Sequence, residues 1–77
     1  MTKKIIKVIK VIDNVRVAAA VLLDPITNKE FIYFNPMFFK RHLGMYFECE
    51  FNDKNIIMFY RRLTGIEMFS LRKKLNK

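Results

Sequence analysis

Tryptophan is absent from this chain, and cysteine, histidine, glycine and proline are nearly so. Cys49 and His42 stand alone, with two glycines and two prolines among 77 residues. One cysteine cannot form a disulfide within the chain, and a lone thiol suits a reducing compartment. Cys49 and His42 fall on different predicted elements, so the several ligands of a metal centre are missing. Gly44 and Gly65 cannot build a glycine-rich phosphate loop. These shortages predict no metal, no cofactor and no enzyme. Long apolar runs are also missing. Lys7, Lys10, Asp13 and Arg16 interrupt the first 23 residues, leaving only Val17 to Leu23 uncharged. That run is too short to span a bilayer and weak as a signal sequence. The expectation is a cytosolic protein with no membrane partner, forming one domain over residues 1–77.

Acidic residues are scarce. Seven Asp and Glu face fifteen Lys and Arg, a net charge of +8. Such an excess in a small domain favours a polyanionic partner, and nucleic acid is the first candidate. An Ile-, Lys-, Asn- and Phe-rich composition also follows from AT-rich coding, which raises lysine with no function behind it. What is plentiful is apolar surface, at 52% of residues. That exceeds what a core of this size hides, so a homodimer or a protein partner is the alternative.

Residues 3–12, KKIIKVIKVI, carry six Ile or Val in eight positions and predict a strand. A cationic amphipathic helix is the competing pattern there. Alternation puts Ile5, Ile9 and Val11 on one face, and Ile6, Val8 and Ile12 on the other. Asp13-Asn14 predicts a tight hairpin turn, with Val15 to Leu23 as the returning strand. DPITNKE is a loop. Glu30 to Phe34 is a short aromatic strand, with Phe31 and Tyr33 pointing one way and Ile32 and Phe34 the other. Asn35-Pro36 and Gly44 bracket a predicted helix over 36–43. Its last turn holds Lys40, Arg41 and His42, which suit the negative end of a helix dipole. Met45 to Phe51 alternates cleanly, with Met45, Phe47, Cys49 and Phe51 apolar and Tyr46, Glu48 and Glu50 polar. NDKN is a turn, and Asn55 to Leu63 a further strand. Thr64-Gly65 can turn the chain back into a last strand. The competing reading is a final helix, with Thr64 and Glu67 forming a capping box.

This order predicts a mostly β protein with one short α-helix. The fold expected is a small OB-like barrel of five to six strands, with the helix between strands three and four. The alternative is an α+β sheet-plus-helix domain completed by dimerisation.

Cys49 on an apolar strand face reads as a buried small hydrophobe rather than a nucleophile. Glu48 and Glu50 read as a solvated stripe facing cations rather than a catalytic pair. Binding is what remains. Single strands are held by cationic grooves and aromatic platforms. The candidates are Lys7, Lys10, Arg16, Lys40, Arg41 and Arg62 for phosphates, and Phe31, Tyr33 and Tyr60 for bases. On this reading the protein binds single-stranded RNA or DNA. The alternative function is an interaction module, an inhibitor or adaptor of a larger machine.

Overall fold

The computed structural model describes residues 2–13, 16–34 and 42–76. Five strands form one antiparallel sheet: β1 (Thr2–Asp13), β2 (Ala18–Asp24), β3 (Lys29–Phe34), β4 (Tyr46–Phe51) and β5 (Ile57–Arg62). One helix, α1 (Gly65–Leu75), follows. The strand order is β3-β2-β1-β4-β5, so the long first strand lies in the middle. The protein is therefore mostly β with one short helix, as its alternating segments predict.

β1 pairs with β2 on one side and β4 on the other. Its mixed Ile/Val pattern is resolved by a bulge. Val8 pairs with Leu22 and Lys10 with Val21, leaving Ile9 as the extra residue. A bulge resets the two-residue period. Ile6 and Val8 face inward before it, and Val11, rather than Ile12, packs on the core after it. β4 keeps its own alternation throughout, and the irregularity in its ladder with β5 falls on Met58. Phe47, Cys49 and Phe51 are buried and the residues between them are half-exposed.

The inner face buries Ile6, Val8, Ala20, Leu22, Phe47, Cys49, Phe51 and Ile57. Each large apolar side chain fully removed from water there contributes about 1.5–3 kcal/mol. The sheet curls around this face. Phe31 of β3 meets Phe51 of β4 edge-on at 6.1 Å, although β2 and β1 lie between them in the strand order. Tyr33 Oη accepts the Ile57 N–H at 3.1 Å, linking β3 to β5 at the two ends of the sheet. No ladder joins those two edges among the described residues, so the sheet is not closed into a barrel.

The turns follow their side chains. Asp24 Oδ1 accepts the N–H groups of Ile26 (2.9 Å) and Thr27 (3.2 Å) in the β2–β3 turn. Asn52 Oδ1 accepts those of Lys54 (2.9 Å) and Ile56 (3.0 Å) in the β4–β5 turn. Asn28 and Asn55 take the positive φ in each, a conformation that Asn tolerates. Gly44 enters β4 at φ +82° and donates its N–H to Val8 O at 2.7 Å.

One local expectation is corrected and one open alternative is decided. Asp13 is not a turn residue: it ends β1 paired with Ala18, where β2 begins, while Asn14 and Val15 lie outside the described residues. The segment after Thr64 is not a strand. Thr64 Oγ1 accepts the Glu67 N–H (3.3 Å) and Glu67 Oε1 accepts the Thr64 N–H (2.9 Å), so the capping box starts a helix instead. Arg72, Lys73 and Lys74 in its last turn complement the helix dipole, and Leu71 is its buried residue. The helix expected over 36–43 falls mainly outside the described residues. His42 and Leu43, its last two positions, are not helical.

Candidate nucleic-acid interface

Register assigns each candidate to a face. On the outer face of the first three strands, Lys7 aligns with Leu23 and Glu30. Lys10 aligns with Val21 and Ile32, and Ile12 with Ala19 and Phe34. Two cations of β1 therefore share a face with two exposed apolar side chains of β3. Phe34 is 68% exposed and Ile32 56%. Lys10 is exposed, whereas half-buried Lys7 holds its Nζ 5.5 Å from the centre of the Tyr46 ring. Arg16 is exposed in the connection that follows β1. Ala19 is 1% exposed between Ile12 and Phe34. Its small side chain lets the larger neighbours stand over it.

The other candidates lie elsewhere. Phe31 and Tyr33 are half-buried on the inner face. Phe31 packs against Phe51, and the Tyr33 hydroxyl is engaged by the Ile57 amide. They hold the curl of the sheet. Tyr60 aligns with Cys49 and Arg62 with Phe47, so both lie on the inner side of the β5 edge. Parity does place Arg62 on the Tyr60 face. The Tyr60 ring meets Phe47 edge-on at 6.1 Å and stays 45% exposed. Lys40 and Arg41 lie outside the described residues. The seven described candidates thus do not share one face. Lys7 and Lys10 share the outer face of β1, with Arg16 just beyond it, while Tyr60 and Arg62 lie at the opposite edge of the sheet.

Sequence reasoning passed over Ile32 and Phe34. The signal was available in FIYF, which offers a ring to each face. Parity separates the two sets but does not say which one faces inward. The partners across the ladder decide: Phe31 aligns with Leu22 and Tyr33 with Ala20, both core residues.

The outer face of β4 and β5 has a different character. Lys3 Nζ stands 3.5 Å from Glu50 and 3.9 Å from Glu48. Arg61 reaches Glu48 at 3.1 Å and forks onto both oxygens of Glu67 at 2.7 and 2.6 Å. The Arg61 fork, with the Thr64 amide second, pulls the Glu67 carboxyl down to about 2. Hydrogen bonding to Glu67 raises Arg61 further above its already high value. Glu48 and Glu50 are thus the solvated, cation-facing stripe that their alternation predicts. This half of the outer face is neutralised by its own ion pairs.

Cys49 is fully buried, and burial, reinforced by the Glu48 carboxylate, pushes its thiol up to about 12. Such a thiol is not a nucleophile at neutral pH. The His42 ring lies 5.3 Å from Phe47, and its buried Nδ1 has no hydrogen-bond partner among the described residues. The ring packs against Phe47. No cluster of three metal-ligating side chains exists among the described residues. No helix among them is long and apolar enough to cross a membrane. Compared with known protein families, curated proteins and solved structures, the chain matches none.

Proposed function

We propose that this protein binds single-stranded nucleic acid across the outer face of β1, β2 and β3. Phe34 is the stacking platform, Ile32 extends it, and Lys10, Lys7 and Arg16 contact phosphates. The observation that carries the reading is the position of Phe34. Phe34, at the end of β3, is 68% exposed on the same face as the exposed Lys10. Aromatic platforms beside cations are what sequence-tolerant binding of single strands requires. The net charge of +8 supplies the long-range attraction.

The strand order supports a finer reading of the fold. A central, bulged β1 flanked by β2 and β4, with β3 and β5 brought near each other, suits a partly open OB-like barrel. In that fold the face of strands two and three takes the strand. The site therefore moves from the inward Phe31 and Tyr33 to the outward Ile32 and Phe34 of the same strand.

Fluorescence anisotropy with labelled single-stranded RNA and DNA at two salt concentrations tests the proposal. Phe34→Ala should weaken binding by about 1–3 kcal/mol with little change in salt slope. Lys10→Gln should weaken all sequences alike and flatten the slope by about one unit. Absence of binding to either strand at low salt would refute the proposal. A second reading, as a protein-interaction module, is favoured by Met58 and Phe59 on the β5 edge and by Ile66 and Phe69 on α1. These four side chains are 50–80% exposed.

A further inference from the structure

The inner face of the curled sheet does not end with its apolar core. At the end where β1 begins and β2 turns into β3, a cleft of about 610 Å³ opens between β3, the start of β1 and the β4–β5 turn. Its volume lies within the range of small-molecule sites. Phe31 and Phe51 line its floor, and Lys4 and Lys29 line its rim. Register explains the placement. Lys4 aligns with Cys49, and Lys29 shares the parity of Phe31 and Tyr33, so both lysines belong to the inward-facing rows. Both are nevertheless exposed, because the sheet runs out there. Neither makes an ion pair among the described residues, in contrast to Lys3 next door, which lies between Glu48 and Glu50.

Two carboxylates also border the cleft. Asp24 turns its Oδ1 to the amides of Ile26 and Thr27 and so serves the β2–β3 turn. Glu30 has the opposite parity to Lys29 and aligns with Leu23 on the outer side. Asp24 aligns with Lys29 and shares its inward row, so the inward side of the rim holds two lysines against one carboxylate that is engaged by the turn amides. Ile32 lines the same cleft while belonging to the outer face, so the two surfaces join over the β3 edge.

We infer that this cleft takes the terminal nucleotide of a bound single strand, its base against the Phe31 floor and its terminal phosphate between Lys4 and Lys29. The inference rests on the strand-binding reading and adds end recognition to it. The strand would run from Phe34 past Ile32 and finish in the cleft. A terminal phosphomonoester carries more charge than an internal diester. Two ammonium groups that form no ion pair among the described residues therefore discriminate in its favour.

The test uses four oligonucleotides of one sequence: 5′-phosphorylated, 3′-phosphorylated, unphosphorylated and circular. One phosphorylated form should bind about tenfold more tightly than the unphosphorylated and circular forms. Which form does so identifies the end. Lys4→Gln with Lys29→Gln should abolish that preference. The same double change at Lys73 and Lys74 of α1, equal in charge, should lower all four affinities together and keep the preference. Equal binding of all four by the wild-type protein would overturn end recognition and leave the strand-binding reading standing. Failure of all four to bind would overturn both. A preference that survives Lys4→Gln/Lys29→Gln would place the phosphate elsewhere and refute the cleft.

Discussion

The two faces of the sheet are made from the same strands and nearly the same residue types, yet they do opposite things. The inner face gathers Phe47, Phe51, Ile6 and Leu22 at 4% exposure or less. The outer face leaves Phe34, Phe59 and Ile32 at 56–68%. Hydrophobicity alone does not separate them. Curvature does. The bulge at Ile9 and the Tyr33–Ile57 bond bend the sheet toward one side. The concave side seals itself, and the convex side must find water or a partner. On β3 an aromatic residue is structural or available according to its parity, not its chemistry.

The largest effect that would break this comparison lies on the inner face. Phe47→Ala should cost about 3–5 kcal/mol, because the ring is fully buried against Tyr60 and His42. Chemical denaturation measures it, and a loss below about 1 kcal/mol would mean that the concave side is not the core. Next comes Cys49→Ser, expected to cost about 1–3 kcal/mol through an unpaired buried hydroxyl. The same burial predicts slow labelling of the native thiol at neutral pH, and rapid labelling would contradict it. Its raised value adds a dependence at high pH. The neutral thiol favours the folded state fully below the ordinary value of 9.0, and that contribution is lost as pH rises toward about 12.

On the outer face, Phe34→Ala should leave stability within about 0.5 kcal/mol while reducing binding. A fall in melting temperature as large as that of Phe47→Ala would erase the distinction between the faces. The smallest effect concerns the clasp between β5 and α1. A carboxyl held below its ordinary value stabilises the folded state most above that value. For Glu67 the contribution should fade as pH falls from about 4.5 to about 2. Glu67→Gln keeps an N3 residue able to cap but removes the ion pair with Arg61. The acid-dependent part of the helical far-UV signal should then vanish. If it persists, other carboxyls govern the acid response.

Much of this architecture was legible where one face wins outright. Met45 to Phe51 declares its strand, its buried set and its inert thiol by alternation alone. Residues 3–12 could not be read so directly. Both faces carry Ile and Val, and a bulge shifts the parity at a residue that nothing in composition marks. The segment after Thr64 held two local signals in conflict. Thr64-Gly65 suits a turn, and Thr64 with Glu67 suits a cap. The fork from Arg61 to Glu67 stands beside the cap and comes from a residue on the preceding strand. The proposed binding surface was half legible. Cations and rings were countable, but which cations were already neutralised depended on the pairing of β4 with β1 and β5. Lys3 and Arg61 are engaged for that reason, and Lys10 is not in an ion pair among the described residues.

The extra residue at Ile9 also makes chain length a control on shape. Val8 and Lys10 occupy consecutive pairing positions with Leu22 and Val21. Removing Ile9 therefore leaves every other β1 residue on the face it now holds. What changes is the bend. A regular strand twists less than a bulged one, so the shortened β1 would let the sheet relax and carry β3 away from β5. The deletion should give a folded protein in which the Ile57 amide, no longer held by Tyr33, exchanges its proton with solvent much faster, while amides between β1 and β4 keep their protection. A one-residue deletion would thus act as a tuning screw. It would set how wide the mouth between the two sheet edges stands without altering any side chain that lines it.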